Sequence, residues 1–504
     1  MELKQKLLNL RHAFVLTIVK TWWLWPIVAV VVTYFLVMLL SVGQSIWFDE
    51  AYSILLAKRP VGELLVLTGV DAHPPLYYLL LKAWAGIFGW GEFALRSLSA
   101  VLAALSVGTL FFLVRRLFTV RTALVVLPFL VLAPFALRYG YEIRMYALAA
   151  LIGALASLVL IYAQTTRSNK LWAFYAVLVA LGMMTLYMTA ALWLAHAVWL
   201  FFVTKRSGVT FFKQKWVLSY IGAVVLFAAY IPTLIYQLGH SALPGIGSAV
   251  TLTKLGDMAG MILLFTPEWK LTAIASLAIL AVIILVVYLL SIVRKVLPKN
   301  QRQYLWFVIA LVLVPVGFFI LTSLPKPIFI TRYMAHIALF GYLFIGVTVA
   351  LGWRYGRRLA AGSLAVISLV VLGCGVWQVQ QTGNFVFERL QLPQTQEVRE
   401  IVSCDDKTTI VADDPYTYID SNYYFNDCDL RFFNKDPIQK QGGYAPLFDS
   451  TVRISSSEDI NTEFLTHLHW EGSDANFKPD SRYKLVESQS FGKQVLDRYE
   501  LRSR

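Results

Sequence analysis

The chain is divided by its apolar runs. Stretches long enough to cross a bilayer, roughly 17–25 residues, fall at 22–42, 93–114, 122–137, 145–163, 171–187, 189–204, 217–237, 271–293, 304–323, 334–352 and 359–380, with short polar segments between them. This pattern predicts eleven spans. After Gly383 the long runs stop, and the shorter segments 408–425, 428–433, 483–488 and 493–501 read as strands among polar turns. The predicted fold class is therefore a polytopic α-helical membrane protein, with a transmembrane domain over 1–383 and a small α/β domain over 384–504. The first apolar run is longer than the core of a secretory signal and no small-residue cleavage site follows it, so it is read as a retained span. No internal repeat or low-complexity tract is visible.

Composition agrees and charge adds an orientation. Hydrophobic residues make up 58% of the 504 and charged residues 15%, against about 25% charged in an ordinary soluble domain; mean hydropathy is +0.63. Residues 1–383 hold 30 Lys/Arg and 9 Asp/Glu, whereas 384–504 hold 14 and 21. With Lys4, Lys6, Arg11 and Lys20 on the cytoplasmic side, 20 of the 30 basic residues fall in cytoplasmic segments. Every acidic residue of the membrane part except Glu2 then lies outside or at the outer interface: Asp49, Glu50, Glu63, Asp71, Glu92, Glu142, Asp257 and Glu268. This asymmetry predicts a multi-pass plasma-membrane protein with a cytoplasmic N-terminus and an extracytoplasmic C-terminal domain. It also excludes nucleic acid as the reason for the basic balance, because the positive charge is dispersed in short loops between spans. Cys404 and Cys428 share the external domain; a disulfide and two free thiols are both open readings, since spacing does not supply the geometry.

The first external loop, 43–92, is too long for a connector and too apolar for a free loop. Pro74–Pro75 followed by LLLKAWAGIFGW predicts a helix lying in the membrane interface. Asp49 and Glu50 follow Trp47–Phe48 at the outer end of the first span, where a carboxylate is costly without a task or a partner. One of them is a candidate base; the alternative is a hydrated pair bonded to Lys58 or Arg59. Asp71 and His73, in DAHPPLYY with Tyr77, form a second polar cluster, and metal ligation there lacks further partners at usable spacing. Arg138 and Glu142 are four apart and suited to pairing on a helix. Arg144 beside Tyr146, and Lys326 and Arg332 before the tenth span, offer guanidinium and ammonium groups suited to phosphate oxygens; headgroup snorkelling is the alternative for each.

Together, WFDEAYS (47–53), DAHPPLYYLLL (71–81), FALRSLSA (93–100), YEIRMYAL (141–148) and FITRYM (329–334) resemble the GT-C class of membrane glycosyltransferases. The resemblance is to relatives of the dolichyl-phosphate-mannose protein mannosyltransferases and the lipid A aminoarabinose transferases. It covers about 45–165 and recurs near 325–340. It implies transfer of a sugar from a polyprenyl-phosphate carrier to an acceptor at the external face, with an aspartate of the first external loop as base; the matching position is Asp49. The acceptor does not carry over, because the acidic C-terminal domain departs from the mannosyltransferase pattern. A protein, a glycolipid and an envelope polymer all stay open.

The chemistry can also be argued from the residues. A polyprenyl phosphate leaves without the protonation that a glycosidase's second carboxylate supplies. One base for the acceptor hydroxyl and cations for the departing phosphate therefore suffice. Asp49 is expected as base, with Glu50 second, orienting the loop or raising the basicity of its neighbour by like-charge proximity. Arg144, Arg332, Lys326 and Arg138 are expected at the phosphate, and His73, Asp71, Arg96, Tyr77 and Tyr146 position loop and donor. Attack opposite the phosphate predicts inversion. No cofactor is required; a divalent cation is compatible with the argument. The rival reading, a transporter or flippase of lipid-linked sugar, predicts mid-depth ionisable groups or paired broken helices. A third, a receptor anchored by its spans, needs fewer of them.

Overall fold

The computed structural model describes residues 19–71, 73–205, 209–239, 251–266, 272–324, 330–382, 395–435, 452–471, 477–491 and 494–502. Lys326, Glu268, the N-terminal Lys4, Lys6 and Arg11, and the expected domain boundary at 383–384 lie outside the described residues. The chain divides into two compact units. One, the bundle unit, takes in residues up to Leu40, Arg96–Ala229 and Gly245–Gln381; the other, the sheet unit, takes in Ser41–Leu95, Tyr230–Pro244 and Thr382–Arg504.

Each expected span is helical, but two differ from a simple crossing. Among the described residues nine helices are long and apolar enough to span a membrane: Leu24–Ser41, Glu92–Leu117, Tyr146–Thr166, Tyr187–Thr204, Lys215–Gly239, Ala273–Val296, Lys299–Thr322, Thr331–Arg354 and Arg358–Thr382. A tenth is a broken span, Val120–Val131 and Pro134–Tyr141, bent by 61°. Proline explains the break. Pro134 has no N–H for the ladder, and its ring disfavours the helical conformation of Ala133, which takes φ −79°, ψ 91°. The eleventh stretch, expected over 171–187, folds as the 15-residue helix Asn169–Met183. The chain turns at Met184–Leu186 and starts the next span as a 3₁₀ turn at Tyr187. Among the described residues the count is thus nine or ten long spans, where eleven were expected.

Within the bundle unit, Thr331–Arg354, Glu92–Leu117 and Tyr146–Thr166 are the interior helices, with 83%, 78% and 72% of their apolar windows buried. Ala273–Val296 shows Ile274, Leu277, Ile284 and Val287 outward, as a lipid-facing helix does. Polar side chains inside the bundle bond to one another. His196 lies 3.0 Å from Ser157 Oγ through Nε2 and 3.0 Å from the Tyr175 hydroxyl through Nδ1, and Tyr175 continues to the Tyr220 hydroxyl at 2.9 Å. Four helices are tied by that chain, in a medium where no water competes for the groups.

The C-terminal part of the sheet unit holds six strands: β1 Thr408–Ala412, β2 Asp429–Phe433, β3 Arg453–Ile454, β4 Phe464–Trp470, β5 Tyr483–Phe491 and β6 Gln494–Leu501. Their order is β3-β2-β1-β4-β6-β5, with β1 to β4 mutually parallel and β5 and β6 antiparallel. Val411, Phe433, Ile460, Leu465, Phe477 and Tyr483 form the apolar core. The expected strand over 408–425 is corrected here: only Thr408–Ala412 is extended, and Pro415–Tyr424 is a helix. Local chemistry accounts for it. Asp414 accepts the N–H groups of Tyr416 and Thr417 at 2.9 Å and Pro415 occupies the first turn, which outweighs the strand preference of the tyrosines. Cys404 and Cys428 form a disulfide.

Close packing in the bundle gives a first prediction. A methyl group on Gly375 would meet Pro134 Cγ at 2.7 Å and the Leu263 carbonyl oxygen at 2.8 Å, whereas one on Gly373 would meet nothing within 4 Å. Gly375→Ala is expected to cost about 1–3 kcal/mol and to lower the thermal unfolding midpoint in detergent, with Gly373→Ala near wild type. Equal midpoints for the two variants would contradict this packing.

Candidate active site

In the sheet unit the first external loop folds as three helices, Phe48–Lys58, Val61–Val70 and Leu76–Phe88. Asp49 and Glu50 occupy the first turn of Phe48–Lys58, where unpaired backbone N–H groups favour negative charge. Both are buried, at 7% and 0% exposure. The other end of that helix is closed by a cation, since Lys82 Nζ donates to the carbonyls of Ala57 at 3.1 Å and Arg59 at 2.9 Å. Arg59 pairs with Glu63 at 3.2 Å and Lys58 lies over the Trp90 ring. The acidic pair is thus buried rather than hydrated. Asp71 ends the second helix and its Oδ2 lies 3.3 Å from His73 Nδ1. Pro75 starts the third helix as expected, with Tyr77 and Tyr78 buried against the loop.

A helix of the C-terminal domain completes this arrangement. Pro415–Tyr424 packs against Phe48–Lys58, with the Phe48 and Tyr416 rings 4.6 Å apart. Ile46 N–H donates to the Tyr424 hydroxyl at 2.7 Å, and the Tyr423 hydroxyl donates to the Trp90 carbonyl at 3.4 Å. Asp420 enters the acidic group from this helix and is 1% exposed. Burial, then the charges of Asp414, Asp49 and Glu50, pushes its carboxyl well above the ordinary range. Asp414 is pushed up too, first by burial. Neither residue was singled out by sequence reasoning.

The expected cations lie in the bundle unit. Arg138 is 1% exposed and pairs with Glu142 at 2.9 Å. Its guanidinium lies 4.8 Å from the Tyr141 ring centre, and that of Arg96, equally buried, lies 5.7 Å from the same ring. Arg144 is buried in the short break before Tyr146–Thr166, its N–H bonded to the Glu142 carbonyl at 2.7 Å. Tyr146 packs edge-on to Tyr139 at 5.0 Å. Arg332 lies in the Thr331–Met334 turn that leads into Ala335–Arg354. Three buried guanidinium groups, with Glu142 bound to one of them, make this end of the bundle rich in positive charge. A cavity beside Tyr139, Tyr146 and Leu339 measures about 20 Å³, room for about one water and not for an isoprenoid.

Residues 72–236 match the model of the dolichyl-phosphate-mannose-protein mannosyltransferase family. The fold is similar to that of ArnT from Cupriavidus metallidurans bound to undecaprenyl phosphate, with TM-score 0.59, 11% identity, and 94% of this chain and 98% of that one covered. The apo form of ArnT gives TM-score 0.59 over 94% and 97% at the same 11% identity. An oligosaccharyltransferase from Archaeoglobus fulgidus aligns at TM-score 0.45 and 12% identity, over 88% of this chain and 67% of that one. No curated protein matches the chain by sequence. The chain thus has the fold seen in ArnT and a segment that matches that mannosyltransferase family's model.

Two groups of side chains have the makeup of metal sites among the described residues: Cys404, Asp427 and Cys428, and His467, His469 and Asp497. The two cysteines of the first are joined in the disulfide and so are not thiolate ligands. The acidic group yields a prediction about pH. The Asp420 carboxyl is held above the value near 3.9 of an unfolded chain, so folding favours its protonated form. Its stabilising contribution is complete below about pH 4 and is lost as pH rises from there through the folded value. Asp420→Asn, which keeps the shape without the charge, should melt a few degrees above wild type at pH 8 and level with it near pH 4. A variant equally destabilised at both values would contradict this burial.

Proposed function

We propose that the chain is an inverting glycosyltransferase that moves a sugar from a polyprenyl-phosphate carrier to an acceptor hydroxyl at the external membrane face. The observation that carries this reading is the burial of Asp49 and Glu50 in the first turn of Phe48–Lys58. Carboxylates are not retained in such surroundings without a task or a compensating partner. The similarity in fold to ArnT, which was crystallised with undecaprenyl phosphate, supports the donor class.

Asp49 is the base. The acceptor oxygen attacks the anomeric carbon, its proton passes to the Asp49 carboxylate, and the bond from that carbon to the phosphate oxygen breaks. The electron pair leaves with the polyprenyl phosphate, and attack from the face opposite the leaving group inverts the centre. Glu50 raises the basicity of Asp49 by proximity of like charge. Arg144 and Arg332, with Lys326, neutralise the charge growing on the phosphate, while Arg138, bound to Glu142, and Arg96 fix the field around them. His73, Asp71, Tyr77 and Tyr146 position loop and donor. No metal is needed for these steps, and a divalent cation at the phosphate would serve the same purpose. In the membrane, the basic short loops put the N-terminus in the cytoplasm and the C-terminal domain outside. The acceptor is a protein, a glycolipid or an envelope polymer.

The test uses purified protein and a synthetic polyprenyl-phospho-sugar. Asp49→Asn should reduce turnover by about 10²–10⁴-fold with donor binding retained, and turnover near wild type would overturn the base assignment. Arg144→Ala should weaken donor binding roughly 10–100-fold, the worth of a hydrogen bond to a charged group, and leave acceptor binding unchanged. Equal weakening of both would remove the phosphate role. NMR of the product should show the anomeric configuration opposite to the donor's.

A further inference from the structure

The sheet of the C-terminal domain has a switch point. From β1 the chain goes through Pro415–Tyr424 to β2 and then β3 on one side, and it returns with β4 on the other side of β1. In open sheets of this kind, ligands sit beyond the carboxyl ends of the strands where the order reverses. Asp413 directly follows β1, and His467 and His469 lie in the second half of β4. The two histidines are two residues apart, so they point to one face. Asp497 of β6 is the cross-strand partner of His467 and lies on that face too.

Three of these side chains converge, and Asp413 lies beside one of them. One ring nitrogen of each histidine and a carboxylate oxygen of Asp497 lie within 4.8 Å of one another. His467 Nε2 is 3.3 Å from Asp413 Oδ2, and His469 Nε2 is 3.1 Å from Asp497 Oδ2. Two ligand atoms on one tetrahedral zinc, each about 2.0–2.1 Å from the ion, stand about 3.3 Å apart. His467 is 2% exposed and its Nε2 makes no directed hydrogen bond. His469 Nδ1 lies 3.2 Å from the Trp470 carbonyl. The Nε2 of His469 and the Asp497 carboxylate face each other, a nitrogen and an oxygen that are both zinc ligand types. Ser488 Oγ donates to the other Asp497 oxygen at 2.6 Å and orients it. The imidazole rings stack with centroids 4.6 Å apart.

We propose that His467, His469 and Asp497 bind one zinc-type divalent ion at the switch point of the C-terminal sheet, with Asp413 beside His467. Two nitrogens and one carboxylate match the ligand chemistry of a zinc site that keeps a fourth position open. The ion ties β4 to β6. Its role is separate from sugar transfer and does not rest on the proposed function.

The test is made on the full-length protein in detergent, stripped with chelator and then titrated with Zn²⁺ alone. One equivalent should bind by calorimetry and by elemental analysis after gel filtration, and Co²⁺ in its place should give the visible absorption of a tetrahedral site. His469→Gln and Asp497→Asn are both partly exposed positions and should weaken Zn²⁺ binding by more than about tenfold, with Ser488→Ala giving about tenfold. Chelator should lower the melting temperature of the wild type and leave that of folded His469→Gln unchanged. Failure of the stripped wild type to bind one equivalent would overturn the proposal. Unchanged Zn²⁺ affinity in both ligand variants would do so as well. If the histidines are instead held as imidazolium by the carboxylates, no metal binds and melting depends on pH but not on chelator, which also overturns it.

Discussion

The contact on which the sheet unit depends is between two short helices far apart in sequence. Phe48–Lys58 begins with two carboxylates, Pro415–Tyr424 brings a third that is almost fully buried, and Asp414 stands at the start of the latter helix. Removing carboxylates from water and gathering them is unfavourable on both counts. Several features offset it. Backbone N–H groups at the start of Pro415–Tyr424 donate to Asp414, Asp49 and Glu50 sit in the first turn of Phe48–Lys58, Lys82 closes the opposite end of that helix, and the Phe48–Tyr416 and Ile46–Tyr424 contacts supply apolar area and a direct hydrogen bond. Burial, then the neighbouring carboxylates, holds the Asp420 carboxyl above the ordinary range. A surface that retains such a group gains reactivity from it, because a carboxylate crowded by like charge binds a proton more readily.

The bundle unit poses the opposite problem. Arg96, Arg138 and Arg144 are buried there, and Glu142 is bonded to Arg138. Guanidinium groups keep their charge wherever they are, and those of Arg96 and Arg138 are spread over the Tyr141 face.

Much of this was legible in the sequence because membranes impose simple rules. Length and apolarity located every spanning helix, and Pro75 marked the start of Leu76–Phe88. The misses have physical causes. An apolar run does not reveal where a helix stops, so the turn at Met184–Leu186 was absorbed into a span. Pro134 was present in the sequence, but a hydropathy window averages over it, so the 61° break was missed. In the C-terminal domain the tyrosines of 416–424 suggested a strand, while the decisive signal was Asp414–Pro415, a cap followed by a first-turn proline. Asp420 was out of reach for another reason. Its significance comes from a helix some 370 residues earlier in the chain, and periodicity carries no information about which distant surface a helix face will meet. The pairing of His467 and His469 with Asp497 depends likewise on β4–β6 register.

The account rests most heavily on the C-terminal domain being seated on the loop that carries Asp49. The direct measurement is thiol cross-linking in native membranes. Phe48→Cys and Tyr416→Cys, combined in a Cys374→Ser background that keeps the Cys404–Cys428 disulfide, should be joined rapidly within one chain by a short bifunctional methanethiosulfonate. Protease cleavage between the two positions should then leave the fragments linked until reductant is added. Fragments that separate freely after treatment, with both introduced thiols shown to be reactive, would contradict the seating and with it the shared acidic site.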